Sequence, residues 1–153
     1  MVARIYIDTS IVGGYFDKEF EKDTKLLFER LERKEVKFVA SNLLREELNP
    51  APEQVRTLLN RYDVGSVEFV ELTEEAKALA EKYIEEKVVG QASVDDCRHI
   101  ALATISKVDV LASWNFKHIV NLTRIQGYNN VNLQNGYGVL EIRNPKELID
   151  YGS

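Results

Sequence analysis

Apolar residues in this chain fall into short continuous runs and into stripes of helical spacing, and the two patterns alternate. Val2–Ile7 (V-A-R-I-Y-I) is a β-rich run that ends in the polar triplet Asp8-Thr9-Ser10. A buried strand that runs into a polar triplet is how an α/β protein presents side chains at the carboxyl edge of its sheet. Gly13-Gly14 then reads as a break. From Asp17 to Arg33, Phe20, Leu26, Leu27, Phe28 and Leu31 mark a helix with a charged outer face. Val36–Ala40 reads as a second strand, with Ser41 as N-cap of a helix over Asn42–Leu48 that stops before Asn49-Pro50. Pro52–Tyr62 is a further helix with proline near its first turn.

The alternation continues. Val67–Leu72 is a strand. Thr73 caps a helix running through about Lys87, with Ala76, Leu79, Ala80 and Tyr83 inward. Gly90 and Ser93 mark a loop, Val94–Lys107 is a helix of small residues, and Val108–Ala112 is a strand ending in Ser113-Trp114-Asn115. Asn121–Gly138, rich in Asn, Gln and Gly, reads as partly irregular. Val139–Ile142 is a last strand, followed by Asn144-Pro145 and a short closing helix. Strands alternating with helices imply parallel pairing, right-handed crossovers and helices on both faces.

The 153 residues, 44% of them hydrophobic, suffice for one domain spanning 1–153 with its own core. Cys97 is the single cysteine, so no intramolecular disulfide forms, and it reads as a small buried hydrophobe. The chain has neither a signal-like start nor a run of apolar residues long enough for a membrane span, which predicts a cytoplasmic protein. A net charge of −5 argues against nonspecific coating of nucleic acid. It leaves room for a pocket of carboxylates neutralised by metal ions beside a local basic rim.

Four places put polar groups just beyond strand ends, where such a sheet binds its ligand. They are Asp8 after the first strand, Glu47 on the helix after the second, Asp96 opening the small-residue helix, and Asn115 after the fourth. Three acids and an amide suit hard cations such as Mg²⁺ or Mn²⁺. Zinc spacing, a phosphate-loop lysine and a G-x-S-x-G elbow are all missing, which leaves metal-assisted hydrolysis. Each residue taken singly has a structural alternative. Asp8-Thr9-Ser10 could cap a helical turn, Glu46 and Glu47 could form a solvated face, and Asp95 and Asp96 could complement a helix dipole.

Jointly, I-Y-I-D-T-S at 5–10, S-N-L-L-R-E-E-L at 41–48, D-C-R-H-I-A-L-A at 96–103 and S-W-N-F-K-H-I at 113–119 resemble the PIN-domain family over essentially the whole chain. On that resemblance the family's first aspartate falls on Asp8, with Thr9 or Ser10 as the neighbouring hydroxyl. Its glutamate, six residues after a serine, falls on Glu47 and not Glu46. Its next acid, five and seven residues before alanines, falls on Asp96 and not Asp95. The last motif departs from the common pattern, since Asn115 and His118 stand where many members carry a carboxylate. Weaker metal affinity, or a second ion that binds only with substrate phosphate, is the expected consequence. His118 and His99 are expected to be structural, and Trp114 to pack at the core or rim.

The resemblance implies a three-layer α/β/α PIN-like fold with a parallel sheet of about five strands. It also implies an endoribonuclease dependent on Mg²⁺ or Mn²⁺, of the kind found as VapC-type toxins, homodimeric and blocked by an antitoxin. The alternative is a catalytically weak PIN-like module that binds RNA or a protein. The segment 121–138 is expected to face substrate or partner, or else to be a structural loop.

Overall fold

The computed structural model describes residues 2–152. Strands β1 (Ala3–Ile7), β2 (Val36–Ser41), β3 (Val67–Val70), β4 (Val110–Ala112) and β5 (Ile142–Arg143) form a parallel sheet in the order β3-β2-β1-β4-β5. The central strands are nearly continuous apolar runs because both faces are covered. Ile5, Ile7, Phe38, Ala40, Val110 and Ala112 face one core, and Tyr6, Val39, Leu111 and Ile142 face the other.

The first core is closed by helices α1 (Thr9–Tyr15), α2 (Glu21–Glu32) and α3 (Asn42–Leu48), through Ile11, Val12, Leu27, Phe28, Leu31 and Leu44. A short helix, α4 (Glu53–Arg56), follows. The second core is closed by α5 (Glu74–Glu85), α6 (Val94–Ile105) and α7 (Leu122–Gln134). The layers are therefore helix, sheet, helix. Register pairs Ile7 with Ala112 and Tyr6 with Val39, so β1 and β4 end side by side. The chain leaves β1 toward β2 on one side and reaches β4 on the other. That makes the gap beyond β1 and β4 the topological switch point, where open α/β sheets bind ligands.

Several expected boundaries move. Gly13 and Gly14 lie inside α1, and the break comes at Phe16–Phe20 before α2. The expected helix Pro52–Tyr62 splits into α4 and a 3-10 turn, Leu58–Arg61, where the Thr57 hydroxyl bonds back to the Glu53 carbonyl at 2.8 Å. The last strand is Ile142–Arg143, not Val139–Ile142, and Val139 is exposed.

The largest correction is at 121–138, expected to be partly irregular, where α7 takes up Leu122–Gln134. Asn121 caps it, its side chain accepting the Arg124 amide at 3.2 Å. Ile125, Tyr128 and Val131 form its inner stripe. Its amides serve the fold. Asn132, fully buried, accepts the Tyr83 hydroxyl at 2.5 Å and donates to Thr104 at 3.2 Å. Asn129 exchanges two bonds with the Leu140 backbone. Thr73 caps α5 as expected, accepting from Ala76 at 3.1 Å. Among the described residues no helix is long and apolar enough to cross a membrane.

Candidate active site

Asp8 occupies the N-cap position of α1, but its side chain makes no capping bond. The carboxylate instead turns toward β4. Oδ1 accepts the Ser10 hydroxyl and Oδ2 the Ser113 hydroxyl, both at 2.6 Å. Ser10 Oγ in turn accepts the Trp114 amide at 2.8 Å, and Ser113 Oγ the Asn115 amide at 2.9 Å. Two serines thus lock the ends of β1 and β4 around one carboxylate. Asp8 is 4% exposed. Burial pushes its pKa up, His99 and the two serine hydroxyls pull it down, Glu47 pushes it up again, and the sum is a rise.

Glu47 comes from α3. Its Oε1 accepts the Thr9 hydroxyl at 2.7 Å and lies 2.6 Å from His99 Nε2. A carboxylate only accepts, so Nε2 carries the hydrogen. Burial alone would raise the Glu47 pKa, but the His99 bond and charge and the Thr9 bond together outweigh it, and the pKa falls. Both contacts land on Oε1, and Oε2 is turned to neither. Behind His99, Nδ1 lies 2.7 Å from the Tyr6 hydroxyl, which also reaches Ser41 Oγ at 3.1 Å. Ser41 sits at the N-cap position of α3 without capping it, because its hydroxyl faces Tyr6. His99 is buried and hydrogen-bonded, as expected, and its partner is the acid of another helix. Glu46 is exposed.

Asp96 lies in the first turn of α6 and is part-buried, whereas Asp95 is exposed. Burial and then the charge of Asp8 raise the Asp96 pKa, against the lowering pull of His99 and His118, and Glu47 adds to the rise. Carboxylates from α1, α3 and α6 therefore act on one another across the switch point. Among the described residues, no group of three His, Cys, Asp or Glu side chains stands in a ready ligating cluster. Each acid is held on protein partners instead.

The sequence matches no family model and no curated protein. Three-dimensional comparison does find relatives. The VapC20 toxin of Mycobacterium tuberculosis, which cleaves the sarcin-ricin loop, matches at a TM-score of 0.57 with 16% identity, covering 74% of this chain and 91% of that one. VapBC2 of Rickettsia felis, solved on a fragment of its promoter DNA, matches at 0.57 with 12% identity, covering 92% and 98%. A toxin–antitoxin complex from Klebsiella pneumoniae matches at 0.53 with 16% identity, covering 74% and 88%. The chain has the fold of the VapC toxins. The three-layer, PIN-like architecture expected from the four sequence segments is therefore present.

Within this VapC-like fold, Asn115 sits beside Asp96 with both ends of its amide engaged. Nδ2 donates to Asp96 Oδ2 at 3.3 Å, and Oδ1 accepts the His118 amide at 3.0 Å. The side chain thus links Asp96, through Nδ2, to the His118 backbone, through Oδ1. His118 has a buried Nδ1 with no hydrogen-bond partner among the described residues, and its charge bears on Asp96. Cys97 is fully buried, and burial and then the Asp96 charge push its thiol up to about 12, in keeping with a small hydrophobe. Sequence reading missed Ser113 and Tyr6. Ser113 carried a signal, a small hydroxyl directly after a strand. Tyr6 looked like an ordinary core aromatic.

Proposed function

We propose that this chain is an endoribonuclease dependent on Mg²⁺ or Mn²⁺, acting as the toxin of a VapC-type pair. The observation that carries the reading is that Asp8, directly after β1, Glu47 on α3 and Asp96 on α6 meet at the switch point, with their charges acting on one another. Hard oxygen donors fit a cation that keeps much of its own water. Asp8, Glu47 and Asp96 would hold it. When bound, such an ion polarises a water nucleophile and offsets charge developing on the phosphodiester.

The chain's own groups have separable tasks. Ser10 and Ser113 aim the Asp8 carboxylate. His99 and Thr9 fix Glu47 through Oε1, and neither binds Oε2. Asn115 steadies Asp96. His118 bears on Asp96 by its charge. The RNA substrate, an antitoxin partner and a homodimer are part of this proposal. Two of the solved relatives are themselves toxin–antitoxin assemblies.

A second reading, a catalytically weak RNA- or protein-binding module, draws on the engaged amide of Asn115, which brings no negative charge. The two readings separate on a mixed single-stranded RNA pool with Mn²⁺, run beside EDTA and beside Asp8→Asn. Cleavage that needs both metal and Asp8 supports the nuclease. A folded wild type whose melting temperature rises with Mn²⁺ and which leaves the pool intact sinks it in favour of the second reading.

A further inference from the structure

Three aromatic rings cluster on and against the segment that follows β4. Phe20 and Trp114 stack with centroids 4.4 Å apart and an interplanar angle of 24°. Phe116 lies 6.0 Å from Trp114 and 6.5 Å from Phe20. Phe116 is 46% exposed, the outermost ring of the three. The cluster is rigidly built. Trp114 Nε1 donates to Thr24 Oγ1 at 2.9 Å, and the indole rests so close to Gly14 that a Cβ there would meet it at 2.7 Å.

The same segment is wired into the acids. The Trp114 amide binds Ser10 Oγ, which binds Asp8, and Asn115 binds Asp96. Lys117, next in the chain, is exposed and forms no ion pair with another described residue. An exposed ring, a cation and a carboxylate centre on one short segment match the chemistry of a polynucleotide, with base, phosphate and scissile phosphodiester in sequence.

We propose that Phe116, backed by the Phe20–Trp114 stack, is a platform on which one unpaired nucleobase stacks beside the phosphate held at the acids. The inference rests on the nuclease reading for the position of that phosphate, and it makes the substrate a strand whose bases are free to splay out. A paired base cannot reach the ring without leaving its helix, so duplex RNA is refused.

Trp114 is the only tryptophan, so its emission reports on the cluster directly. The probe is a short single-stranded RNA of mixed sequence, added with Mg²⁺ to the full-length Asp8→Asn protein so that it is bound but not cut. The same RNA annealed to its complement and the same sequence as DNA run alongside. Quenching by the single strand, none by the duplex, and a Kd raised roughly 5- to 150-fold by Phe116→Ala are expected. Phe116→Tyr should bind like the parent, and Phe116→Leu, which keeps the apolar bulk, should bind like Ala. DNA that binds equally well means the platform reads the base and not the sugar, which the proposal accommodates.

Phe116→Ala with unchanged affinity and melting temperature, or Leu substituting fully for Phe, overturns the platform. The nuclease reading fails separately. If the otherwise wild-type chain cuts in an Asp8-dependent way and Phe116→Ala leaves KM unaltered, the nuclease stands and the platform falls. If binding depends on Phe116 but no metal produces cleavage, the platform stands without the nuclease.

Discussion

Gly13 and Gly14 are neighbours in α1, and the structure assigns opposite signs to the same substitution at each. Glycine inside a helix is worse than alanine by about 1 kcal/mol, mainly through backbone entropy. At Gly13, which is exposed, a Cβ would meet nothing within 4 Å, so Gly13→Ala should gain about 1 kcal/mol. At Gly14 the same Cβ would stand 2.7 Å from both Cδ1 and Nε1 of Trp114 and 3.0 Å from Thr24 Oγ1. Carbon contacts are favourable near 3.5–4.0 Å, so the indole must retreat by about 1 Å. Overpacking of this kind costs about 1–3 kcal/mol. Moving the ring also loosens its bond to Thr24, worth about 1 kcal/mol. Set against the same helix gain, Gly14→Ala should lose about 1–3 kcal/mol. For a chain of this size each kcal/mol moves the melting temperature by about 2–4 °C. Thermal and urea melts followed by Trp114 emission read both the stability and the displaced ring. If Gly14→Ala stabilises as much as Gly13→Ala with unaltered emission, the packing of Trp114 on α1 is wrong, and the support claimed for Phe116 goes with it.

Three further outcomes follow from the polar groups. The folded pKa of Asp8 is raised, so its ionised form is disfavoured by folding: the penalty is absent below the ordinary 3.8 and grows as pH rises through the folded value. Without metal, Asp8→Asn should therefore be more stable than the parent near neutral pH and lose that advantage as pH falls toward 3.8, while all cleavage is lost; urea melts at both ends of that range would expose the error if the advantage ran the other way. Glu47, with its lowered pKa, works in the opposite sense, contributing stability above its ordinary 4.5 that disappears in acid. Asn132→Ala should cost about 1–3 kcal/mol by removing the buried amide that accepts the Tyr83 hydroxyl and donates to Thr104, and adding Tyr83→Phe should recover part of the loss in a double-mutant cycle; strictly additive costs would refute the pairing.

The alternation of strands and helices was legible because a doubly covered parallel sheet writes its strands as apolar runs, as in Val36–Ala40. Helix α7 was not, because its composition reflects buried duties. Asn129 and Asn132 read as loop formers, yet they stand on the helix to bond Leu140, Tyr83 and Thr104. A polar residue whose partner is distant in sequence cannot be told from one whose partner is water. The glycine pair misled for a related reason. Gly14 marks a close approach by a side chain 100 residues downstream, not a break in the helix.

The acids show where sequence reasoning reaches furthest and what it lacks. The PIN-domain resemblance selects Asp96 over Asp95 and Glu47 over Glu46, and in the structure Asp96 and Glu47 are part-buried while Asp95 and Glu46 are exposed. The orientation of each carboxylate, however, is set by partners on other elements: Ser113 for Asp8, His99 for Glu47 and Asn115 for Asp96. Those bonds also bear on the departure at Asn115. An amide there replaces a fourth repelling charge by a donor that steadies Asp96. The metal-free fold thereby carries less electrostatic strain than a fourth acid would bring. If the proposed cation binds here, weak affinity for it and a tolerable metal-free state would be one property of the site, with a single physical origin.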